Sequence, residues 1–262
     1  MTHRSSDTPV PVWSDEAGPV DAPLVVLVHG SMDRSTGLLK LSRQLDRTHR
    51  VARYDRRGYG RSVPQHQPHS GPFDMQHQVD DLLSVIAGRP AVLIGHSYGG
   101  NVALATAARH PQVVRAIAIY ETPLSWEPWW PGNTAGAVAI QSAGDPAVAA
   151  ERFMRRMIGD ERWEALPERT RATRRFEGAA MVGELADLRE RVPWSAAHIH
   201  VPVLAGYGSD GSPHHARGMR HVAQQIVGAD LVELPGCRHD APLSHPALFA
   251  QHLVIPLLAR SG

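Results

Sequence analysis

A single cysteine, Cys237, stands in a chain of 262 residues, so no internal disulfide can form and the fold must be held by a buried core. No apolar run reaches the roughly 18 residues that a membrane-spanning helix takes, and that includes the C-terminal stretch from Leu253 to Leu258. The first residues, Met1 to Asp7, carry no apolar core of a secretory leader, and the sequence reads as that of a cytoplasmic protein. A charge excess of either sign is missing too. The 27 basic and 26 acidic side chains are interspersed and leave a formal +1, which favours neither nucleic acid nor a membrane surface as partner. Gly58 and Gly60 have the spacing of neither a P-loop nor a dinucleotide fingerprint, and no cofactor is expected. What remains is size and apolar content: 42% apolar residues suffice for one large α/β domain, and the length is too short for two enzyme domains.

The chain is organised around residues 91–104. Ala91 to Ile94 reads as a buried parallel strand and Asn101 to Arg109 as a helix, so the Gly-x-Ser-x-Gly stretch from Gly95 to Gly99 must turn sharply between them. Such a turn crowds its flanks, which suits Gly95 and Gly99, and lifts the Ser97 hydroxyl toward the helix N-terminus. Unpaired N–H groups there, that of Tyr98 first, face the place where an oxyanion would form.

Around this turn the chain alternates strand and helix. Val10 to Trp13 reads as an edge strand, before a turn over Asp15 to Pro23. Leu24 to Val28 reads as a central strand whose end carries His29, Gly30, Ser31 and Met32, with His29 bracing its own loop. A helix over Thr36 to Asp46, a strand over Arg50 to Asp55, an exposed loop over Val63 to Pro72 and a helix over Asp74 to Ala87 follow. The strand Arg115 to Tyr120 ends on Glu121. From Leu124 to Pro193 the alternation stops, and helical periodicity over Pro146 to Ile158, Glu161 to Arg175 and Gly178 to Arg191 suggests an insertion over the rim. Trp126, Trp129 and Trp130 are either its packing or the apolar wall of a pocket; together with Trp163 they suggest an enclosed pocket for small or medium acyl compounds. The sheet resumes at Val201, and His239 follows the strand Asp230 to Leu234. A last helix runs from Pro246 to Leu258, ended or bent by Pro256.

Taken together, His29-Gly30, the Asp-x-Arg-Gly-x-Gly-x-Ser stretch from Asp55 to Ser62, the elbow Gly95 to Gly99 and the Gly-x-x-His loop from Gly236 to His239 resemble the α/β-hydrolase family, from about Leu24 to the end. The resemblance implies an α/β fold with a mostly parallel eight-stranded sheet flanked by helices. It also implies a helical cap after the sixth strand, with core 1–123 and 194–262 and cap 124–193, and a nucleophile–histidine–acid triad. The family's acid usually follows the seventh strand in a Gly-x-x-Asp pattern, yet Gly211 occupies that column and Asp210 stands one residue early. Some members take the acid from the end of the sixth strand, where Glu121 stands, and Glu121 is expected to be the acid. Asp240 is a poor candidate because its neighbour His239 must point the other way.

The expected catalytic set is therefore Ser97, His239 and Glu121, with N–H groups of Ser31 and Tyr98 as oxyanion hole and Met32, Trp126, Trp129 and Trp130 at the substrate. The expected reaction is hydrolysis of a small-molecule ester or lactone through an acyl-enzyme. Carbon–carbon bond hydrolysis and cofactor-free perhydrolysis use the same triad and stay open, as does the oligomeric state. A non-catalytic small-ligand binding protein would not need all three groups. A metal site built from His198, His200, His214 and His215 is possible by ligand type, but surface histidines account for them and no metal is expected.

Overall fold

The computed structural model of the protein describes residues 12–63, 71–141 and 144–260. In chain order the elements are β1 (Ser14–Ala17), β2 (Leu24–Val28), α1 (Leu39–Leu45), β3 (Arg50–Tyr54), α2 (Met75–Ile86), β4 (Ala91–His96), α3 (Tyr98–Arg109) and β5 (Val114–Tyr120). An inserted helical region follows: α4 (Ala135–Gln141), α5 (Pro146–Ile158), α6 (Asp160–Ala165), α7 (Glu168–Phe176) and α8 (Gly178–Glu190). The chain closes with β6 (Val203–Gly208), α9 (Pro213–Gln225), β7 (Ala229–Leu234), α10 (Ala241–Ser244), α11 (Pro246–Phe249) and α12 (Ile255–Leu258).

Among the described residues the strands form one seven-stranded sheet in the order β1-β3-β2-β4-β5-β6-β7, with only the β1–β3 pair antiparallel. The expected eight strands are thus corrected to seven, and the insertion follows the fifth. The expected edge strand over Val10 to Trp13 is corrected as well. Val10 and Pro11 lie outside the described residues, and the strand is the polar Ser14–Ala17. Ion pairs rather than apolar alternation hold it: Asp15 pairs with its register partner Arg53 at 2.5 Å, and Glu16 pairs with Arg50 at 2.8 Å and Arg89 at 2.6 Å.

The central strands are buried on both faces, as continuous apolar runs require. Alternate residues serve opposite cores. Val26, Val28, Leu93, Ile117 and Ile119 pack with α2, α3 and α8, while Val25, Leu27, Val92, Ile94 and Ala118 pack with α1 and the C-terminal helices. Parallel register brings the carboxyl ends of β2, β4, β5 and β6 to one rim, with His96 opposite Tyr120 and Tyr120 opposite Gly206. The helix expected over Glu161 to Arg175 is two helices, broken at Leu166-Pro167. The last helix is interrupted by a π-turn over Ala250–Val254 just before Pro256, whose missing N–H cannot bond back one turn. Among the described residues no helix is long and apolar enough to cross a membrane.

Candidate active site

Ser97 leaves β4 with φ 53° and ψ −126°, a conformation that costs a non-glycine residue about 1–3 kcal/mol and persists only where its surroundings enforce it. The Ser97 N–H donates to the Tyr120 carbonyl at 2.9 Å, and the Ser97 carbonyl accepts from the Gly100 N–H at 2.9 Å. A Cβ on Gly99 would stand 2.2 Å from the Val28 carbonyl oxygen, so only glycine lets the elbow lie against the end of β2. Tyr98 is the first residue of α3, and its N–H has no acceptor within the helix. Gly30 sits against Ser97: a Cβ there would be 2.9 Å from the Ser97 Cβ. Ser31 therefore follows directly on the residue that touches Ser97, and Met32, buried with φ 57°, closes the loop.

Glu121, at the end of β5, also has positive φ, 46°, and is fully buried. Its Oε1 accepts from the Gly208 N–H at 3.0 Å, and its Oε2 accepts from His239 Nδ1 at 2.8 Å. A proton on Nδ1 leaves Nε2 as the basic nitrogen of His239. His215 Nδ1 stands 2.8 Å from the same Oε2, although its N–H is not aligned for a hydrogen bond. The rings of His215 and His239 stack with centroids 4.6 Å apart and planes at 17°. Burial pushes the Glu121 carboxyl up, but contacts with His215 and His239 outweigh it and hold the group well below the usual carboxylate range.

His96, the residue before Ser97, donates from Nε2 to the His239 carbonyl at 2.7 Å. Burial pushes its pKa down to about 3, and that of His214 down to about 4. Burial lowers His215 as well, so these three imidazoles are neutral at neutral pH.

Asp210 lies elsewhere: it is exposed and accepts from Ser209 Oγ at 2.9 Å. Asp240 is exposed just ahead of α10. Position 211 is the informative one. A Cβ on Gly211 would be 2.6 Å from Glu121 Oε1, so the column in which an acid is usual opens onto the space that the Glu121 carboxylate fills.

The His29–Gly30 loop is clamped from behind. His29 Nε2 accepts from the Arg56 N–H at 2.9 Å, which leaves Nδ1 to donate to the Gly30 carbonyl at 2.7 Å. Arg56, fully buried, donates to the carbonyls of His29 and Gly30 at 2.9 and 3.1 Å and to Gln78 at 3.0 Å. It also pairs with the equally buried Glu184 of α8 at 2.6 Å, and Glu184 accepts from the Tyr59 hydroxyl at 2.6 Å. His29 is thus a brace of its loop.

The tryptophans divide. Trp130 meets His214 and His215 with ring centroids 4.9 and 5.9 Å apart, beside the Glu121 cluster. Trp129 lies on α9 against His221 and beneath Arg217, and Trp126 packs edge-on against Trp194 at 5.8 Å. Trp163 is buried within the insertion between Arg155 and Arg175, which makes it packing rather than pocket wall. Two surface concavities, of about 320 and 490 Å³, are lined by residues 108–109 and 192–200 with Gln225 and Val227, and contain none of these groups but Trp194.

Reading the sequence missed His215, His96 and Glu184. His96 could have been found from its place in the elbow. His215 lacks any motif and reaches Glu121 only because α9 packs beside β6. Its assignment to the surface is corrected, since its side chain is only 15% exposed. Of the four histidines considered for a metal, only His215 belongs, among the described residues, to a group of three ligand-type side chains, and its companions are Glu121 and His239.

Residues 25–252 match the alpha/beta hydrolase family. The pimeloyl-[acyl-carrier protein] methyl ester esterase of Chromobacterium violaceum is 29% identical over 243 residues, 88% of this chain and 92% of that protein. The enol-lactonase from Burkholderia xenovorans LB400 superposes with a TM-score of 0.68 at 26% identity, over 95% of this chain and 96% of the other. A thermophilic esterase from Thermogutta terrifontis superposes with a TM-score of 0.71 at 21% identity, over 95% and 93% of the two chains.

Proposed function

The chain belongs to the alpha/beta hydrolase family and is an enzyme of that fold, and from this premise we propose that it hydrolyses esters or lactones of small to medium, largely apolar acids through an acyl-enzyme on Ser97. The observation that carries the reading is the 2.8 Å hydrogen bond from His239 Nδ1 to Glu121. It fixes the tautomer whose Nε2 takes the Ser97 proton as the hydroxyl attacks the acyl carbon, and it stabilises the imidazolium that results. The N–H groups of Tyr98 and Ser31 hold the oxyanion, on a loop kept in place by Arg56. The imidazolium then returns its proton to the leaving alkoxide, and water, activated by the same nitrogen, releases the acid.

A serine nucleophile disfavours opening of alkyl halides or epoxides through an alkyl-enzyme ester. The similarity to an enol-lactonase and to a methyl ester esterase supports acyl transfer to water. The helices between β5 and β6 act as a cap over the rim, with Trp130 and Met32 as apolar contacts for the acyl group; Trp126 and Trp129 contribute by shaping the cap. A panel of p-nitrophenyl esters and lactones of graded chain length, assayed with the wild type and Ser97→Ala, tests the proposal. Ser97→Ala should lose hydrolysis and fluorophosphonate labelling together; labelling retained at another serine would overturn it.

A further inference from the structure

We propose that Glu121, His215 and His239 form a binding site for a divalent transition-metal ion of the zinc type, and that the bound ion switches the hydrolase off. The binding half stands on geometry alone; the inhibition half rests on the serine-hydrolase reading above.

One ligand atom from each of the three side chains lies within 4.8 Å of the others. Both Nδ1 atoms stand 2.8 Å from Glu121 Oε2. Tetrahedral metal bonds of about 2.0–2.2 Å to imidazole and carboxylate place neighbouring donors about 3.3–3.6 Å apart, so each imidazole has to move away from the carboxylate by about 0.5–0.8 Å to admit an ion. Two imidazoles and one carboxylate are the donor set of zinc and its neighbours, not of magnesium or calcium, which take oxygen ligands.

The carboxylate is held in place by the Gly208 N–H through Oε1, and His214 packs on His215 with centroids 4.2 Å apart. The rings of His215 and His239, with planes at 17°, have to turn about Cβ–Cγ so that both in-plane lone pairs meet at one ion. His215 Nδ1 is buried without an aligned hydrogen bond, a polar atom that the carboxylate alone does not satisfy. The His239 side chain is 23% exposed, which leaves an open edge by which a hydrated ion arrives and keeps a water as a further ligand.

Coordination uses the lone pairs that the triad needs. A metal on His239 Nδ1 moves that proton to Nε2, with none lost from the ring, and Nε2 can then no longer accept the Ser97 proton. Glu121 is taken up by the same ion. His215 is the residue that turns an ordinary acid–histidine pair into a chelating set of three.

The test is titration of chelator-treated, desalted protein with zinc chloride, followed by calorimetry and by competition with a chromophoric chelator. One ion per chain should bind in the micromolar range or tighter, and His215→Phe and His215→Gln, each checked for folding by circular dichroism, should weaken binding by at least about tenfold. Ser97→Ala should bind as the wild type does, so binding is read even if no ester is a substrate. In the wild type zinc should abolish hydrolysis with the same midpoint, and EDTA should restore it. Absence of saturable zinc binding, or equal binding by the wild type and both folded His215 variants, overturns the site. Binding without loss of hydrolysis overturns the switch. A wild type that hydrolyses nothing but binds zinc through His215 overturns the serine-hydrolase reading and leaves the metal site standing.

Discussion

Glu121 Oε2 and His239 Nδ1, 118 positions apart in the chain, meet at 2.8 Å, while Asp210 faces solvent on a neighbouring loop. Replacing the carboxylate with its amide keeps shape and removes the charge that fixes the imidazole tautomer. In the serine-protease example such a change costs on the order of 10⁴ in turnover. Glu121→Gln should lose activity on that scale and Asp210→Asn should keep most of it, both compared as kcat on folded protein. A dead Asp210→Asn beside an active Glu121→Gln would return the acid to its usual loop.

Arg56 and Glu184 are both fully buried, so removing either leaves a charge with no water to solvate it. Breaking such a pair costs about 3–5 kcal/mol, against at most about 1 kcal/mol for a solvated pair such as Arg260–Asp230. Glu184→Gln should lower the midpoint of urea unfolding accordingly. Because Arg56 also holds the His29 and Gly30 carbonyls, kcat should fall as well in the folded fraction. A variant as stable and active as the wild type would show that the pair neither anchors α8 nor braces the loop.

Burial, aided by the Arg56 cation, pushes the pKa of His29 well below its ordinary value. The unfolded chain takes up a proton near pH 6.5 that the folded chain refuses, so this group's contribution to stability is whole above that pH and is lost as pH falls from there toward the folded value. Each such histidine steepens the loss by up to about 1.4 kcal/mol per pH unit, and His96 acts in the same direction. Denaturant midpoints measured between pH 7 and pH 5 should fall, and less steeply in His29→Gln. A profile unchanged by that substitution would mean that His29 is charged in the folded state.

Trp130 and Trp163 should separate by assay. Trp163 is fully buried, and Trp163→Ala should cost about 3–5 kcal/mol of stability by leaving a cavity. Trp130→Ala should instead raise KM for apolar acyl chains with a smaller stability change, because its ring lies against the site histidines. The reverse assignment of effects would place the pocket wall inside the insertion.

How far the sequence reached follows from what each signal encodes. The central strands and the elbow were legible because burial on both faces writes a continuous apolar run, and because a sharp turn demands glycine at fixed offsets. The place of Glu121 at a strand end on the rim was legible too, as was the glycine in the column where an acid is usual. The edge strand was not, since Ser14–Ala17 is polar and its pairing is written in Arg53, Arg50 and Arg89, far along the chain. The break at Pro167 was hidden by helical periodicity that runs on through it. His215 and Glu184 act through contacts between distant elements, and no local pattern marks them.

The spatial overlap of positions 121 and 211 makes the acid's location testable by moving it. The Gly211 backbone has no positive φ, so an aspartate is allowed there, but its Cβ would be 2.6 Å from Glu121 Oε1. Gly211→Asp alone should therefore crowd the carboxylate and impair both stability and kcat. Glu121→Ala removes the acid and clears that space, and should be nearly inactive. In the double variant the new carboxylate stands in the usual family position with the obstruction gone. Residues in contact commonly couple by about 0.5–3 kcal/mol, so a recovery of about tenfold in kcat over Glu121→Ala is the expected sign of relocation. The double variant would then be better than the sum of the two single effects predicts. A double variant no more active than Glu121→Ala, though folded, would show that the loop carrying residue 211 cannot present an acid to His239, and that the position of Glu121 is set by more than the space it shares with Gly211.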